Sequence, residues 1–244
     1  MRAFILAAGR GSRLRPLTDT TPKPLLPVAG GVRLIDWQLA ALARAGIRDV
    51  VVNTGHLADA FETLPGQLAP RGFRLRISRE GSCVEEALET LGGIVHALPL
   101  LAPEDDPALA DEPFIVLAGD VVHDFDLLRL RPRARAIRAG EVDVHLVAVP
   151  NPDFHPAGDM TVHPDGSVTP GPGPHTYGCI MICAPRIFRG LPDRSARLFP
   201  WLWQFARSGR MSAEVFTGFW ENVGTPAEYE RLRSNPAALA LARY

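Results

Sequence analysis

Short apolar runs alternate along this chain with segments whose apolar residues recur at helical spacing. Four runs in the first half predict strands, at residues 3–6, 49–53, 73–77 and 113–117. Helices are predicted between them, at residues 34–45, 56–64 and 85–98, the last interrupted by glycines at 92 and 93. This alternation is typical of βαβ units, whose parallel strands share one sheet while helices cover its faces. We therefore predict an α/β fold with a Rossmann-like, mixed and mostly parallel central sheet flanked by helices.

The second half of the chain is less regular and predicts a small extra β subregion. Strands are expected at residues 142–149, 175–183, 213–216 and 220–223, and a hairpin is expected to join 160–162 to 167–169. Helices are expected at 196–207 and from Pro226 onward. The Pro- and Gly-rich segment 164–174 is the best candidate for a mobile loop. A chain of 244 residues suits a single domain over 1–244.

The charge and the cysteine content argue against several functional classes. The formal net charge is −1, so the chain has no general attraction for nucleic acid or for a membrane surface. Its cysteines, Cys83, Cys179 and Cys183, are too few for a disulfide framework, and we interpret them as buried structural thiols. The chain has no apolar stretch of about 18 residues and no signal-like N-terminus. We expect a monomer in a reducing, cytoplasmic compartment.

A loop rich in glycine and arginine follows the first predicted strand directly. Its small residues, Ala7 to Gly9 and Gly11, let backbone N–H groups approach a phosphate chain, and arginines at positions 10, 13 and 15 add positive charge. A P-loop would need a Gly-Lys-Ser/Thr sequence, which is absent, and a dinucleotide fingerprint would need glycine in place of Leu14. Because glycine and arginine rarely cluster in this way without a ligand, the residues favour a phosphate-binding loop of another kind over a flexible turn.

Asp120 follows the buried strand 113–117 through Gly119. Ligands of open α/β sheets bind beyond the carboxyl ends of the strands, where this carboxylate is expected to lie. On the residues alone, a metal-binding carboxylate and a turn-forming Gly-Asp pair are equally consistent with this position.

The segment 6–28, LAAGRGSRLRPLTDTTPKPLLPV, resembles the signature loop of the sugar-nucleotide pyrophosphorylase family. The family motif is LAAGxGxRLxPLTxxxPKPLxPV, and it is matched almost without a gap. The resemblance implies a GT-A-like nucleotidyltransferase fold. It also implies an enzyme that joins a nucleoside triphosphate to a sugar 1-phosphate, releases pyrophosphate and uses Mg²⁺ as its cofactor.

The resemblance also implies roles for individual residues. Arg13 would bind the triphosphate and the leaving pyrophosphate, and Lys23 would bridge the nucleotide α-phosphate and the sugar phosphate. Prolines on both sides limit the backbone around Lys23 and pre-organise its ammonium. Arg13, Lys23 and Asp120 are therefore the expected catalytic residues. The expected nucleotide-binding residues are Ala7, Ala8, Gly9, Gly11, Arg13, Glu80 and Gly92.

The implied metal site combines Asp120 with a late W-x-D-x-G-T segment of the family. This chain has Trp220-Glu-Asn-Val-Gly-Thr225 there, so Asn222 replaces the second carboxylate. An amide oxygen can coordinate magnesium but brings no charge. We predict Asp120 and Asn222 as the metal ligands, with Glu221 on the opposite side of its strand. A glycosyltransferase of similar fold would carry Asp-x-Asp, but position 122 is valine.

A narrower resemblance links the chain to the uridylyltransferases that act on N-acetylmuramate α-1-phosphate in bacterial cell-wall recycling. It rests on Glu80-Gly81, on the segment 88–93 (LETLGG) and on the segment 151–160 with Gly158-Asp159. It implies UTP and this sugar 1-phosphate as substrates, with Glu89, Asp159 and Lys23 as sugar-binding residues. The half 1–125 would mainly bind the nucleotide and the half 126–244 the sugar. An apparent insertion at 84–88 and the step Tyr177-Gly-Cys-Ile180 depart from the subgroup.

Two alternatives stay open. One is a uridylyl-, guanylyl- or cytidylyltransferase for another phosphorylated substrate, such as glucose 1-phosphate, mannose 1-phosphate or phosphocholine. The other is an inactive regulator that binds a nucleotide sugar, for which Asn222 is the only support.

Overall fold

The fold is centred on one mixed sheet. The computed structural model describes residues 1–81 and 86–243. Its strands are β1 (Ala3–Leu6), β2 (Pro27–Ala29), β3 (Val32–Arg33), β4 (Asp49–Thr54), β5 (Arg74–Arg79), β6 (Phe114–Ala118), β7 (Val121–His123), β8 (Val144–Pro150), β9 (Met160–Val162), β10 (Val168–Pro170), β11 (His175–Cys183), β12 (Met211–Val215) and β13 (Trp220–Asn222). Its α-helices are α1 (Asp36–Arg44), α2 (Leu64–Leu68), α3 (Glu89–Leu101), α4 (Arg131–Arg138), α5 (Trp203–Arg207), α6 (Pro226–Arg233) and α7 (Pro236–Leu241).

The topology of the sheet sets the position of the site. Strands β5, β4, β1 and β6 pair in parallel in that order, and β11 runs antiparallel to both β6 and β8. Strand β12 extends the sheet beyond β8, while the hairpin β9–β10 attaches to the start of β11. The chain leaves β1 toward β4 and later returns on the other side of β1 as β6, which makes a topological switch point between β1 and β6. The expected α/β architecture with an extra β subregion is confirmed.

Alternating side chains of the central strands form two apolar layers. Ile5 and Val52 face a cluster that includes residues of α1, α2 and α4, whereas Phe4 and Val51 face a cluster that includes residues of α3. Since both faces of these parallel strands are covered, the strands consist of continuous apolar runs, as their sequences predict.

The last two helices pack against the first third of the chain. Tyr229 and Leu232 lie in a third buried cluster with Leu14 and Trp37. The Trp37 indole N–H donates to the carbonyl of Ala238 over 3.1 Å, and the Tyr229 hydroxyl donates to the carbonyl of Pro27. Residues 226–241 therefore lie behind the loop that follows β1.

Several predicted helices differ in extent from those observed. The predicted helix 56–64 is a 3-10 turn at Ala58–Phe61 followed by α2, because Leu57 adopts a left-handed φ of 53° just before the turn. The predicted helix 196–207 shortens to α5, since Pro200 cannot continue a helix from its N-terminal side. The helix expected from Pro226 divides into α6 and α7, with Asn235 capping the second.

The predicted interruption of the third helix is wrong. α3 begins at Glu89 and continues through Gly92 and Gly93 to Leu101. Its predicted start at 85, together with Ser82 and Cys83, lies outside the described residues. The proposed mobile segment 164–174 contains β10.

Cys183 is buried, whereas Cys179 is partly exposed as a residue but has a buried sulfur, and both are free thiols. Within residues 1–81 and 86–243, no helix has the length and apolar character needed to cross a bilayer.

Candidate active site

A cleft of about 460 Å³ opens at the carboxyl ends of β1 and β6. Most of the residues predicted for the site line this one cleft: Ala7, Ala8, Gly9, Gly11, Arg13, Lys23, Glu80, Glu89 and Asp120. The switch point of the sheet therefore brings together residues that lie more than a hundred positions apart in the chain.

The glycine-rich loop is held against the segment that carries Lys23. Gly11 has a left-handed φ of 64°, and a Cβ on it would lie 3.0 Å from Lys23 Cβ and 3.0 Å from Thr18 Cγ2. The Thr18 hydroxyl donates to the Gly11 carbonyl over 3.0 Å. Glycine is thus required here both for its backbone conformation and for the close approach of Lys23.

Lys23 and Asp120 form an ion pair at the floor of the cleft. The distance from Lys23 Nζ to Asp120 Oδ2 is 2.5 Å, and Lys23 as a whole is only 7% exposed. A backbone hydrogen bond from Gly119 N–H to the Leu6 carbonyl (2.9 Å) fixes the Gly119-Asp120 turn against β1. The pair keeps a cation and a carboxylate beside the phosphate-binding loop, although sequence reasoning assigned them separately and did not foresee their contact.

Asn222 lies next to Asp120 through strand pairing. β13 runs antiparallel to β7 with Asn222 opposite Val121, and Val223 N–H donates to the Asp120 carbonyl over 3.0 Å. Asn222 Oδ1 is buried and has no hydrogen-bond partner among the described residues. Glu221 is engaged elsewhere, with Arg231.

These residues fit a magnesium ion bound mainly by phosphate. Mg²⁺ usually takes one or two protein oxygens and completes its octahedron with phosphate oxygens and waters. Asp120 Oδ atoms and the unpaired Asn222 Oδ1 supply oxygens of the preferred kind. A group of three or more His, Cys, Asp or Glu side chains able to hold a metal is absent from the part of the chain that the structure describes.

Asn222 itself lines a neighbouring cavity of about 550 Å³ together with Phe154 and Trp220. The lining of the main cleft does not include Asn222, but it includes Gly224 two residues later.

Glu80 is fixed by an asparagine that sequence reasoning missed. Asn53, only 3% exposed at the end of β4, accepts a hydrogen bond from Ala7 N–H and donates to Glu80 Oε1, each over 2.6 Å. Glu80 Oε2 accepts from Leu88 N–H over 3.0 Å. Burial raises the pKa of Glu80 above its usual value, although the hydrogen bonds that it accepts from Leu88 N–H and from Asn53 act in the opposite direction. A polar side chain ending an apolar strand beside the glycine-rich loop was the signal that could have identified Asn53.

The two adjacent glycines of α3 have different neighbours. A Cβ on Gly93 would lie 2.3 Å from Glu80 Oε1 and 3.1 Å from Asn53 Nδ2. A Cβ on Gly92 would instead lie 2.3 Å from the backbone oxygen of Arg194, and Gly92 does not line the cleft. Gly92, which we predicted to bind nucleotide, therefore lies against the protein backbone, and Gly93 is the glycine that accommodates Glu80.

Glu89 lines the cleft at the first turn of α3 and adopts a φ of 57°. This conformation is uncommon for a residue with a side chain. Its Oε1 lies 3.8 Å from Arg197 Nε, and its side chain is 52% exposed, so the carboxylate is accessible to a ligand.

Asp159 is not among the residues that line the cleft, and its predicted role in sugar binding stays a prediction. Its Oδ1 lies 2.9 Å from His155 Nε2, and its Oδ2 accepts from Tyr177 N–H over 2.8 Å. Both carboxylate oxygens thus hold the loop after β8 against the start of β11.

The departure noted at residues 177–180 is a β-bulge in β11. Cys179 adopts a φ of 59° there, and the Trp220 indole N–H donates to the Gly178 carbonyl over 2.9 Å. Burial raises the pKa of the Cys179 thiol to about 12, and the charges of Asp120 and Asp159 act in the same direction. The thiol is therefore protonated near pH 7 when no metal is bound.

Comparison with known proteins identifies relatives over nearly the whole chain. Residues 2–169 match the family model described as nucleotidyl transferase. An N-acetylmuramate alpha-1-phosphate uridylyltransferase of Neisseria meningitidis serogroup B is 41% identical over 229 residues, which are 92% of this chain and 94% of the relative. The protein of the same name from Caulobacter vibrioides is 35% identical over 92% of both chains.

More distant similarities extend to other sugar phosphates. The catalytic subunit beta of mannose-1-phosphate guanylyltransferase from Danio rerio is 28% identical over 98% of this chain and 70% of its own length. Among solved structures, a proposed glucose-1-phosphate thymidylyltransferase of Bacillus anthracis, crystallised with sucrose, superposes with a TM-score of 0.76 at 19% identity. The superposition covers 100% of this chain and 96% of that one and supports the fold.

Proposed function

This chain belongs to the nucleotidyl transferase family, and we propose that it transfers UMP from UTP to N-acetylmuramate α-1-phosphate, with release of pyrophosphate. The relatives with the highest identities given above carry this activity in their names. The observation that carries the proposal is the placement of the Lys23–Asp120 pair beside the glycine-rich loop, in one cleft with Arg13.

The reaction is an in-line displacement at the α-phosphorus. An oxygen of the sugar phosphate forms the new P–O bond while the bond to the β-phosphate breaks, and the electron pair leaves with pyrophosphate. A phosphate monoester is already ionised near pH 7, so no general base is needed. Catalysis then depends on positioning and on compensation of phosphate charge.

Lys23 and Arg13 supply positive charge at different points of this displacement. Lys23 would contact the α-phosphate and the sugar phosphate. When no substrate is bound, Asp120 holds the Lys23 ammonium in place. Arg13, exposed at the cleft, would neutralise charge that develops on the leaving pyrophosphate. Asp120 and Asn222 would hold the magnesium ion, which compensates phosphate charge when bound.

Base selection is assigned to Glu80. An ionised carboxylate only accepts hydrogen bonds. Uracil presents an N3–H donor, whereas cytosine presents an acceptor at N3, so an ionised Glu80 would favour UTP over CTP. Asn53 and Leu88 N–H restrain this carboxylate and leave lone pairs on its oxygens for the base.

The sugar would lie against the second half of the chain. We propose that residues 1–125 mainly bind the nucleotide and residues 126–244 mainly the sugar, within a monomer of the cytoplasm. Lys23 and Glu89, with its exposed carboxylate, are the proposed sugar contacts from the first half.

A panel of substrates tests the function. Pyrophosphate release is measured with Mg²⁺ while the four common NTPs are crossed with the 1-phosphates of N-acetylmuramate, glucose and mannose and with phosphocholine. We expect release with UTP and N-acetylmuramate 1-phosphate, and omission of Mg²⁺ should abolish it. Release only with GTP and mannose 1-phosphate would retain the reaction class and reject this substrate pair, an alternative that the 28% identical guanylyltransferase supports.

The regulator is the alternative from another class. Asn222 supports it, because the uncharged amide weakens the expected metal site. Nucleotide binding by calorimetry without turnover of any pair in the panel would favour the regulator over the enzyme.

A further inference from the structure

The Arg13 guanidinium packs against Gly224, which lines the same cleft. A Cβ built on Gly224 would lie 2.9 Å from Arg13 Nη2, 3.1 Å from Cζ and 3.3 Å from Nη1. The guanidinium therefore occupies the space that any side chain at position 224 would need. Gly224 does not have a left-handed φ, so its backbone conformation alone does not require glycine.

The backbone around Gly224 is held rigidly. Gly224 N–H and Thr225 N–H both donate to Glu228 Oε2, each over 2.7 Å. Glu228 N–H in turn contacts the Thr225 hydroxyl, which completes a capping box at the start of α6. Because α6 is anchored through Tyr229 and Leu232 in a buried cluster, the surface that Gly224 offers to Arg13 is fixed.

The guanidinium itself keeps its hydrogen-bonding capacity for a ligand. Arg13 lies in a short 3-10 turn. The residue after it, Leu14, is 1% exposed and belongs to the same buried cluster as Tyr229 and Leu232. Throughout residues 1–81 and 86–243, the Arg13 guanidinium forms no hydrogen bond or ion pair. Contact with Gly224 restricts where this charged group can lie without using any of its N–H donors.

We propose that Gly224 is a positioning residue. Because glycine has no side chain, it leaves space for the Arg13 guanidinium, which this contact orients toward the triphosphate. The inference rests on the proposed function, in which Arg13 binds the triphosphate and the leaving pyrophosphate. A pre-positioned cation is more effective than a mobile one, because less conformational freedom is lost when the ligand binds.

A double-mutant cycle tests this inference. Gly224→Ala, Arg13→Ala and the double variant are compared for UTP dissociation constant by calorimetry and for KM and kcat. We expect Gly224→Ala to weaken UTP binding by about tenfold, since a misplacement near 1 Å has effects of that order or larger. In the Arg13→Ala background the same substitution should have no further effect, because the group it displaces is gone.

The control is Gly66→Ala. Gly66 lies in α2, and a Cβ there would meet nothing within 4 Å, so UTP binding and turnover should match those of the unchanged protein. If Gly224→Ala lowers the melting temperature, Arg13→Ala should restore it, since both effects come from the same contact.

Two results would overturn the inference. One is an equal loss of UTP affinity on Gly224→Ala with and without Arg13, which would indicate an effect through the neighbouring Asn222. The other is UTP binding by Gly224→Ala at the unchanged affinity. Because the cycle measures binding, it tests the role of Gly224 even if no sugar phosphate is turned over. If another NTP binds more tightly than UTP, that nucleotide replaces UTP in the cycle. Absence of binding for all four NTPs would reject both the proposed function and the role of Gly224.

Discussion

Lys23 Nζ lies 2.5 Å from Asp120 Oδ2, across 97 positions of the chain, and the lysine is nearly buried. Two prolines flank the lysine, and the aspartate lies between the end of β6 at Ala118 and the start of β7 at Val121, so neither partner is free to move far. The contact places the proposed α-phosphate cation and the proposed metal carboxylate within one hydrogen bond of each other.

We expect Lys23→Ala and Asp120→Ala each to lower kcat by about a hundredfold or more, because each removes charge aimed at the reacting phosphates. Steady-state pyrophosphate release measures the effect, and circular dichroism checks the fold. Arg74→Ala is the matched control, since Arg74 forms an equally short ion pair with Asp49 on the surface with 73% of its side chain exposed. Near-native turnover in either site variant would contradict the assigned roles.

We expect the substitution Asn222→Leu to increase the stability of the protein and to weaken its use of Mg²⁺. Its buried Oδ1 has no described partner, and such an acceptor costs about 1–3 kcal/mol. Asn222→Leu should therefore raise the free energy of unfolding by about 1 kcal/mol in metal-free buffer, and it should increase the Mg²⁺ concentration for half-maximal activity. Asn222→Asp should lower that concentration, because it adds a charged oxygen. Denaturant unfolding and Mg²⁺ titrations would reject the metal role if all three proteins behaved alike.

Gly93→Ala should destabilise the protein, although alanine normally stabilises a helix interior by about 1 kcal/mol relative to glycine. The added Cβ would lie 2.3 Å from Glu80 Oε1, so Glu80 must move away from Asn53. We expect a lower melting temperature and a higher KM for UTP. Gly66→Ala in the open environment of α2 should show the ordinary gain instead. Equal gains in the two variants would show that Glu80 is not confined by α3.

We expect the folded protein to lose stability in mild acid because of the buried His123 ring. Its ring is fully buried, its Nε2 lies 3.0 Å from Gln38 Oε1, and its Nδ1 has no partner among the described residues. Because Gln38 Nε2 donates to the Val121 carbonyl (2.6 Å), we assign Gln38 Oε1 as the acceptor and His123 Nε2 as the donor. Burial lowers the pKa of His123 to about 4, with the charge of Arg44 adding to the effect.

The sign follows from the two pKa values. Between about pH 6.5 and pH 4, His123 binds a proton in the unfolded chain but not in the folded protein. The free energy of unfolding therefore falls as the pH decreases, by about 3 kcal/mol over this range. Urea unfolding at pH 7.5, 6, 5 and 4.5 measures the change. His123→Gln keeps a donor toward Gln38 and should lack this component of the slope. An identical pH dependence in both proteins would exclude His123 as its source.

Local sequence patterns predicted the elements whose structure is decided locally. Strand β11 matches its predicted bounds, His175–Cys183, because its apolar and β-branched residues leave little choice. Lys23 and Asp120 were predicted from motifs, and the cleft contains both. Asn53 was missed since its partners, Ala7 and Glu80, lie 46 and 27 positions away and no local pattern records them.

Where the predictions differ from the structure, long-range contacts decide the outcome. Gly92 and Gly93 predicted a helix interruption, yet backbone hydrogen bonds from Leu91 N–H and Gly92 N–H to the Ala196 carbonyl support α3 there. The resemblance that suggested Asp159 as a sugar ligand did not indicate that its carboxylate contacts His155 and Tyr177.

The packing of α6 and α7 behind the glycine-rich loop has a consequence for biosynthesis. Trp37 and Ala238 are 201 positions apart, and Arg233 and Val28 are 205 apart. Contacts of this separation form late and slowly, because a long loop must close before they add stability. A nascent chain that has folded β1 and β4 on the ribosome still lacks the support of the arginine-bearing loop. We therefore expect the glycine-rich loop to gain its full packing support only after the polypeptide has emerged as far as α7.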